Sequence, residues 1–411
     1  MTQGRHIVFF SFPGVGHINP MLGPVAALAE RDHRVTFAVA DQFTGLLRDS
    51  PADVLPYHSD FPASVTKVDS ADDAVTMIID LMREGFAALE PALERLSGDR
   101  PDLIVHDTIS GNAARVLARA WDVPLVESCP VFIENDDDEI PGSPQPPEDH
   151  PAATDFDHQD PRLARFGEEF GAGVSALLIR HGLDPNLAME SLTPTGEEPR
   201  LVYIPKAFHY GSETFGPRYL FVGPTADCTV LEGHWTPPGG DRPVVLISLG
   251  TSMSKDLGFF TGCIEAFRGT PWHVVLTLGR GADLAALGEL PPNVEAHNWM
   301  PHPSVLKHAS ALVCQAGMGS VLEALRYEVP ILAVSHSGET LANAHRVAEL
   351  GLGRHIPVTE ASGQVIFDAV TAMAADDSLP TRLALMAKEI EQAGGAPAAA
   401  DALEAVLTQQ K

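Results

Sequence analysis

Two side chains in the first third of the chain have the types that move a proton. One is His17, inside "SFPGVGHINP" at 11–20, and the other is Asp107, closing "LIVHD" at 103–107. A histidine serves as a general base near neutral pH when its second ring nitrogen is held by an acceptor, and a carboxylate is a good holder. Both residues follow short apolar runs, "HIVFFSF" and "PDLIVHD", that read as strands. If the two strands share one parallel sheet, His17 and Asp107 stand at the same edge of it. His106 lies one position earlier and should point to the other side of the strand. Spacing alone leaves other uses open: His17 can pack or cap, and Asp107 can cap the helix that follows.

The second half of the chain has turns of a different chemistry. "SLGTS" at 248–252 follows a strong apolar run, and Gly250, Thr251 and Ser252 can offer backbone N–H and hydroxyl donors to a phosphate. "QAGMGSVLEAL" at 315–325 does the same at another strand end. There Gly317 and Gly319 allow close backbone approach, Ser320 can cap the next helix, and Glu323 can accept ribose hydroxyls. Each turn alone also fits an ordinary helix cap. Two together, facing a His–Asp edge, point to a nucleotide-linked donor. "DDD" at 136–138 and "DFD" at 155–157 lie in a polar, proline-rich stretch and read as solvated charge. No metal site is expected, and helix dipoles with hydroxyl donors are expected to neutralise the diphosphate.

These residues need elements that place them. In "SFPGVGHINP", Asn19 suits an N-cap and Pro20 a first helical residue, so a helix start at 19–20 is expected, with His17 in the turn before it. Gly14 and Gly16, with Asp41 after the next strand, partly match a dinucleotide fingerprint, although Asn19 stands where glycine or alanine belongs. Apolar runs alternate with helix-like segments through both halves, the pattern of parallel sheets covered on both faces. The breaks are the acidic stretch 134–160, which lacks Lys and Arg, and "FVGPTADCTVLEGHWTPPGGDRP" at 221–243. The fold class expected is α/β, with two Rossmann-like parallel-sheet domains facing each other across a cleft. The expected boundaries are a first domain over 1–220, a linker over 221–243, a second domain over 244–390 and a C-terminal helix over 391–411.

Composition narrows the function. A chain of 411 residues favours two domains. A formal net charge of −28 disfavours nucleic acid and anionic membranes; it fits general solubility first, and attraction of a cationic small molecule second. No apolar run reaches transmembrane length, and the N-terminus reads as a first strand rather than a signal peptide, so a cytoplasmic protein is expected. Cys129, Cys228, Cys263 and Cys314 are scattered and suggest free thiols.

The chain resembles the actinobacterial macrolide glycosyltransferases, within the UDP-glycosyltransferases of the two-domain GT-B fold. The likeness runs nearly end to end and rests on "PGVGHINP", "PDLIVHD", "FVGPT", "SLGTS", "NWMPHPSVL", "QAGMGSVLEAL" and "NAHRVAELGLGRHI". The resemblance implies an inverting, metal-independent sugar transfer in which His17 is the general base and Asp107 its partner. It implies that Trp299 lies against the nucleotide base and that His302 is at a ribose-contacting position. Gln315 to Ser320 would hold the diphosphate, Glu323 the ribose, and Glu339 with Thr340 the sugar hydroxyls. The C-terminal helix would cross back to the first domain. The family has histidine where Gln315 stands, and glutamine where Thr340 and His302 stand. These departures imply an altered donor preference, such as a thymidine-diphosphate deoxysugar in place of a UDP-hexose. The co-substrate is then a nucleotide sugar, with no separate cofactor, and the acceptor a macrolide or other polyketide. The acceptor pocket is expected from 60–90 and 132–170, with its residues unassigned; a homodimer is compatible with this reading. Two rival readings are a non-catalytic partner with a degraded donor site and a nicotinamide-dependent oxidoreductase using Gly14, Gly16 and Asp41.

Overall fold

The computed structural model describes residues 4–61, 70–134, 160–194, 196–225, 235–240, 242–250, 257–279, 282–335 and 338–409. The acidic motifs at 136–138 and 155–157, Cys228, and residues 226–234 and 241 of the 221–243 segment lie outside the described residues.

Seven strands form the first sheet: β1 (His6–Phe10), β2 (Arg34–Ala40), β3 (Asp53–Tyr57), β4 (Leu103–Asp107), β5 (Leu125–Cys129), β6 (Arg200–Val202) and β7 (Tyr219–Phe221). Six form the second: β8 (Val244–Ser248), β9 (His273–Thr277), β10 (Val294–His297), β11 (Ala311–Cys314), β12 (Ile331–Ser335) and β13 (Gly353–Pro357). The spatial orders are β3-β2-β1-β4-β5-β6-β7 and β10-β9-β8-β11-β12-β13. All of the pairings are parallel. Every residue of β1, β4, β8, β11 and β12 is buried. That explains their unbroken apolar runs, since helices cover both faces of such sheets. Strand order reverses between β1 and β4 in one sheet and between β8 and β11 in the other, and the crevice at such a reversal is where α/β sheets bind ligands.

The first helix differs from the expected one. It spans Val15–Ala29, with Gly14 at the N-cap and Pro20 and Pro24 inside it. Asn19 is therefore not the cap, and His17 sits in the first helical turn rather than before it. Gly14 is extended at φ −154°, and its carbonyl accepts from both His17 N–H and Ile18 N–H at 3.0 Å, so the helix winds from there. Proline lacks an N–H, so Pro24 leaves the carbonyl of Pro20 without its helical donor. The Thr225 hydroxyl donates to that carbonyl. A Cβ on Gly23 would collide with the Thr225 backbone carbonyl, so only glycine admits this approach.

The last helix, Gly395–Gln409, packs on the same element. Ala399, Ala400 and Leu403 share a core with Ile18, Met21 and Val25. Arg31 pairs with Asp401 and Glu404 at 2.7 Å, and His33 Nε2 lies 3.0 Å from Glu404. The chain turns into this helix through Gly394 and Gly395, both at positive φ (86° and 56°), where glycine alone is unstrained. A further core joins the two sheets: Phe132, Phe208, Tyr210 and Phe215 from the first half run into the apolar interior of the second.

Candidate active site

Parallel pairing of β1 with β4 sets Phe10 opposite His106, which brings the segments after both strands to one edge. There His17 Nδ1 lies 2.8 Å from Asp107 Oδ2. A carboxylate only accepts, so Nδ1 carries the proton and Nε2 is left with a free lone pair. Asp107 is fully buried, and its other oxygen accepts the Ile109 N–H at 2.8 Å. His17 keeps 15% of its side chain exposed, enough to meet a substrate. Phe12 packs edge-on to its ring at 5.1 Å. Burial pulls the imidazole pKa down, but the charge and hydrogen bond of Asp107 and the charge of Glu339 outweigh it, and the net shift is upward. Glu339 comes from the second half of the chain, so the two halves meet at this histidine. His106 points away as alternation requires: its Nδ1 donates to the Asp107 carbonyl at 2.8 Å, and its Nε2 faces Glu198 at 3.6 Å.

Beside this pair is a carboxylate that the sequence reading missed. Glu84 is buried, accepting from Tyr57 Oη at 2.8 Å and Ser59 Oγ at 2.6 Å. Burial raises its pKa despite those two donors. Tyr57 also donates to the Ser11 carbonyl at 3.2 Å, which ties the cluster to the strand end before Phe12. Phe61 packs on Phe12 at 4.9 Å. No motif marks Tyr57, Ser59 and Glu84; only the contact across 25–27 residues brings them together.

At the reversal point of the second sheet, Gly250 and Gln315 touch. Gly250 has φ +64°, and a Cβ there would stand 2.6 Å from Gln315 Nε2. Ala316, next in sequence, is also left-handed at φ 64°. The helix after it spans Met318–Arg326 with Gly317 at the N-cap, so Ser320 stands in the first turn and is not the cap. A Cβ on Gly317 or Gly319 would meet nothing within 4 Å, so these backbones border open space. Thr251 and Ser252 lie outside the described residues. Glu323, a turn further on, faces His302 at 4.0 Å, and Thr277 Oγ1 is 3.3 Å from His302 Nε2. Both side chains keep only about a quarter of their surface open (21% and 26%). Burial depresses His302 to about 4 and lifts Glu323 to about 7. The histidine is thus neutral and the acid titrates near neutrality. Trp299 is 45% exposed, a large apolar face turned to solvent. Glu339 is exposed at the start of the helix Gly338–Glu349, with Thr340 beside it. Asp41 is exposed and lies 3.8 Å from His58.

A histidine held by a buried carboxylate at one sheet edge and open glycine turns at the other are the parts of a group transferase with a phosphate-bearing donor. The comparisons with known proteins agree. Residues 271–404 match the erythromycin biosynthesis protein CIII-like C-terminal domain. The chain is 34% identical to demethyllactenocin mycarosyltransferase of Streptomyces fradiae, over 98% of this chain and 87% of that one. It is 32% identical to oleandomycin glycosyltransferase of Streptomyces antibioticus, over 99% and 92%. The crystal structure of the calicheamicin glycosyltransferase CalG4 superposes with a TM-score of 0.79 at 34% identity, covering all of both chains. The chain belongs to this family of antibiotic-associated glycosyltransferases and has their GT-B architecture. It is a glycosyltransferase.

Proposed function

We propose that the protein moves a sugar from a nucleotide diphosphate, either a UDP-hexose or a dTDP-deoxysugar, to a hydroxyl of a macrolide-like natural product, with inversion and without a metal ion. The reaction would serve antibiotic tailoring or self-resistance in the cytoplasm. The observation that carries this reading is the 2.8 Å His17–Asp107 pair with Glu339 acting on the same ring. His17 Nε2 takes the proton of the acceptor hydroxyl as its oxygen attacks the anomeric carbon from the face opposite the diphosphate. The imidazolium that forms is stabilised by Asp107. Charge grows on the leaving phosphate, where the turn 315–320 and the helix behind it matter most.

On this reading Trp299 stacks on the base, Glu323 and His302 meet the ribose, and Glu339 with Thr340 meets the sugar. Gly250 and Gln315 to Ser320 hold the diphosphate, and Thr251 and Ser252 complete that set. Gln315 donates but is never cationic, and Thr340 is shorter than glutamine. The shorter reach of Thr340 favours a donor with fewer hydroxyls to satisfy, hence the deoxysugar. The formed base pair and the intact turn speak against a degraded site. Calorimetry on metal-free protein tests the donor reading with UDP, dTDP and NAD⁺. Binding of UDP or dTDP with NAD⁺ silent is expected, and NAD⁺ binding alone would refute it.

A further inference from the structure

The helix Gly338–Glu349 carries Glu339 at its first turn. Residues 339, 342, 343 and 346 follow the i, i+3, i+4, i+7 spacing of a single helical face. Each is engaged. Asn343 is fully buried, and its Nδ2 donates to Glu339 Oε1 at 3.1 Å and to the Ala316 carbonyl at 2.9 Å. It therefore joins the acid to the left-handed residue of the diphosphate turn. Three residues on, Arg346 keeps its Nη1 on Glu349 of the same helix at 3.1 Å and reaches with its other nitrogens into the first half. Its Nε donates to the Phe208 carbonyl at 2.8 Å and its Nη2 to the His209 carbonyl at 3.0 Å. The guanidinium also lies over the Tyr210 ring, 4.7 Å from its centroid. Tyr210 is 1% exposed, and its hydroxyl returns to the Ala342 carbonyl at 3.0 Å. Residues 208–210 belong to the connection between β6 and β7, which is part of the sheet that carries His17.

We propose that Arg346 and Tyr210 are positioning residues of the transfer. They latch the helix bearing Glu339 to the sheet bearing His17, and so set where the sugar stands relative to the base. This rests on the reading of His17 as base and Glu339 as sugar ligand. An error of about 1 Å in such a placement can cost about 10²-fold in rate. The nucleotide site lies wholly within the second half, so its affinity should not depend on the latch.

The test compares Arg346→Ala, Arg346→Lys, Tyr210→Phe, Glu339→Gln and His17→Ala in kcat, donor KM and nucleotide-diphosphate Kd. Arg346→Ala should lower kcat ten- to a hundredfold and leave the Kd within twofold. Lysine keeps the charge over Tyr210 but cannot span two carbonyls, so it should restore part of the loss. Tyr210→Phe removes only the bond to Ala342 and should cost a few-fold; it carries the test if Arg346→Ala fails to fold. If the latch works through Glu339, Arg346→Ala should cost less than twofold in the Glu339→Gln background. Fully additive losses, a matching loss of nucleotide affinity, or wild-type kcat in both Arg346→Ala and Tyr210→Phe would overturn the proposal. Activity surviving in His17→Ala would instead overturn the base assignment beneath it.

Discussion

Asp107 decides which nitrogen of His17 is left to accept a proton. With Nδ1 bound at 2.8 Å, only Nε2 can take a proton. Asp107→Asn should lower turnover by about 10²–10⁴-fold, within the usual worth of a general base, and leave nucleotide affinity unchanged. Single-turnover rates beside calorimetry separate the two effects. The raised pKa of His17 has two consequences of opposite sign. Activity needs the neutral ring, so kcat/KM should fall as pH drops through the raised value. The pair's contribution to stability is full below the ordinary 6.5 and is lost as pH rises through the folded value. Glu323, lifted to about 7, makes a second prediction. Ribose hydroxyls bind an ionised acceptor more strongly. Nucleotide affinity should therefore rise between pH 6 and 8, and Glu323→Gln should flatten that profile. His302, neutral above about 4, cannot supply it. Titrations of the native chain and of Glu323→Gln across this range check it.

Elements carry the next layer. The helix Val15–Ala29 holds His17 in its first turn and is fixed from behind by Thr225 and by Gly395–Gln409. Thr225→Val would leave the half-buried Pro20 carbonyl without this partner, at a cost of about 1 kcal/mol. Chemical denaturation should show it, with the denaturant slope unchanged. The two prolines also explain the misplaced helix start. Asn19-Pro20 reads locally as a cap followed by a first helical residue, and nothing nearby reveals a hydroxyl 205 residues away that replaces the missing donor. The strands, by contrast, were legible, because parallel strands buried on both faces leave unbroken apolar runs in the sequence. The contact between His17 and Asp107 was legible for the same reason: both residues stand just beyond or at such a run. Ser320 was misread as a cap because Gly317 starts its helix three residues earlier. Glu84 with Tyr57 stayed hidden, since a carboxylate buried by long-range packing has no spacing to betray it.

At the scale of the whole molecule, two sheets place their reversal points toward one histidine. The last helix and the Arg346 contacts tie the halves together. The net charge of −28 acts on this larger scale. An acceptor carrying an amine should show a KM that rises as salt is raised from roughly 10 to 500 mM, which shortens the screening length from about 30 Å to well under 10 Å. A neutral acceptor of the same skeleton should show little change, and parallel initial-rate series check the difference. The central claim is transfer with inversion by His17. It is tested most directly by incubating the protein in EDTA with an α-linked dTDP- or UDP-sugar and a macrolide acceptor, then assigning the anomeric configuration of the product by NMR. The account predicts a β-linked product from the native chain and none above background from His17→Ala. An α-linked product, or undiminished turnover in His17→Ala, would contradict it.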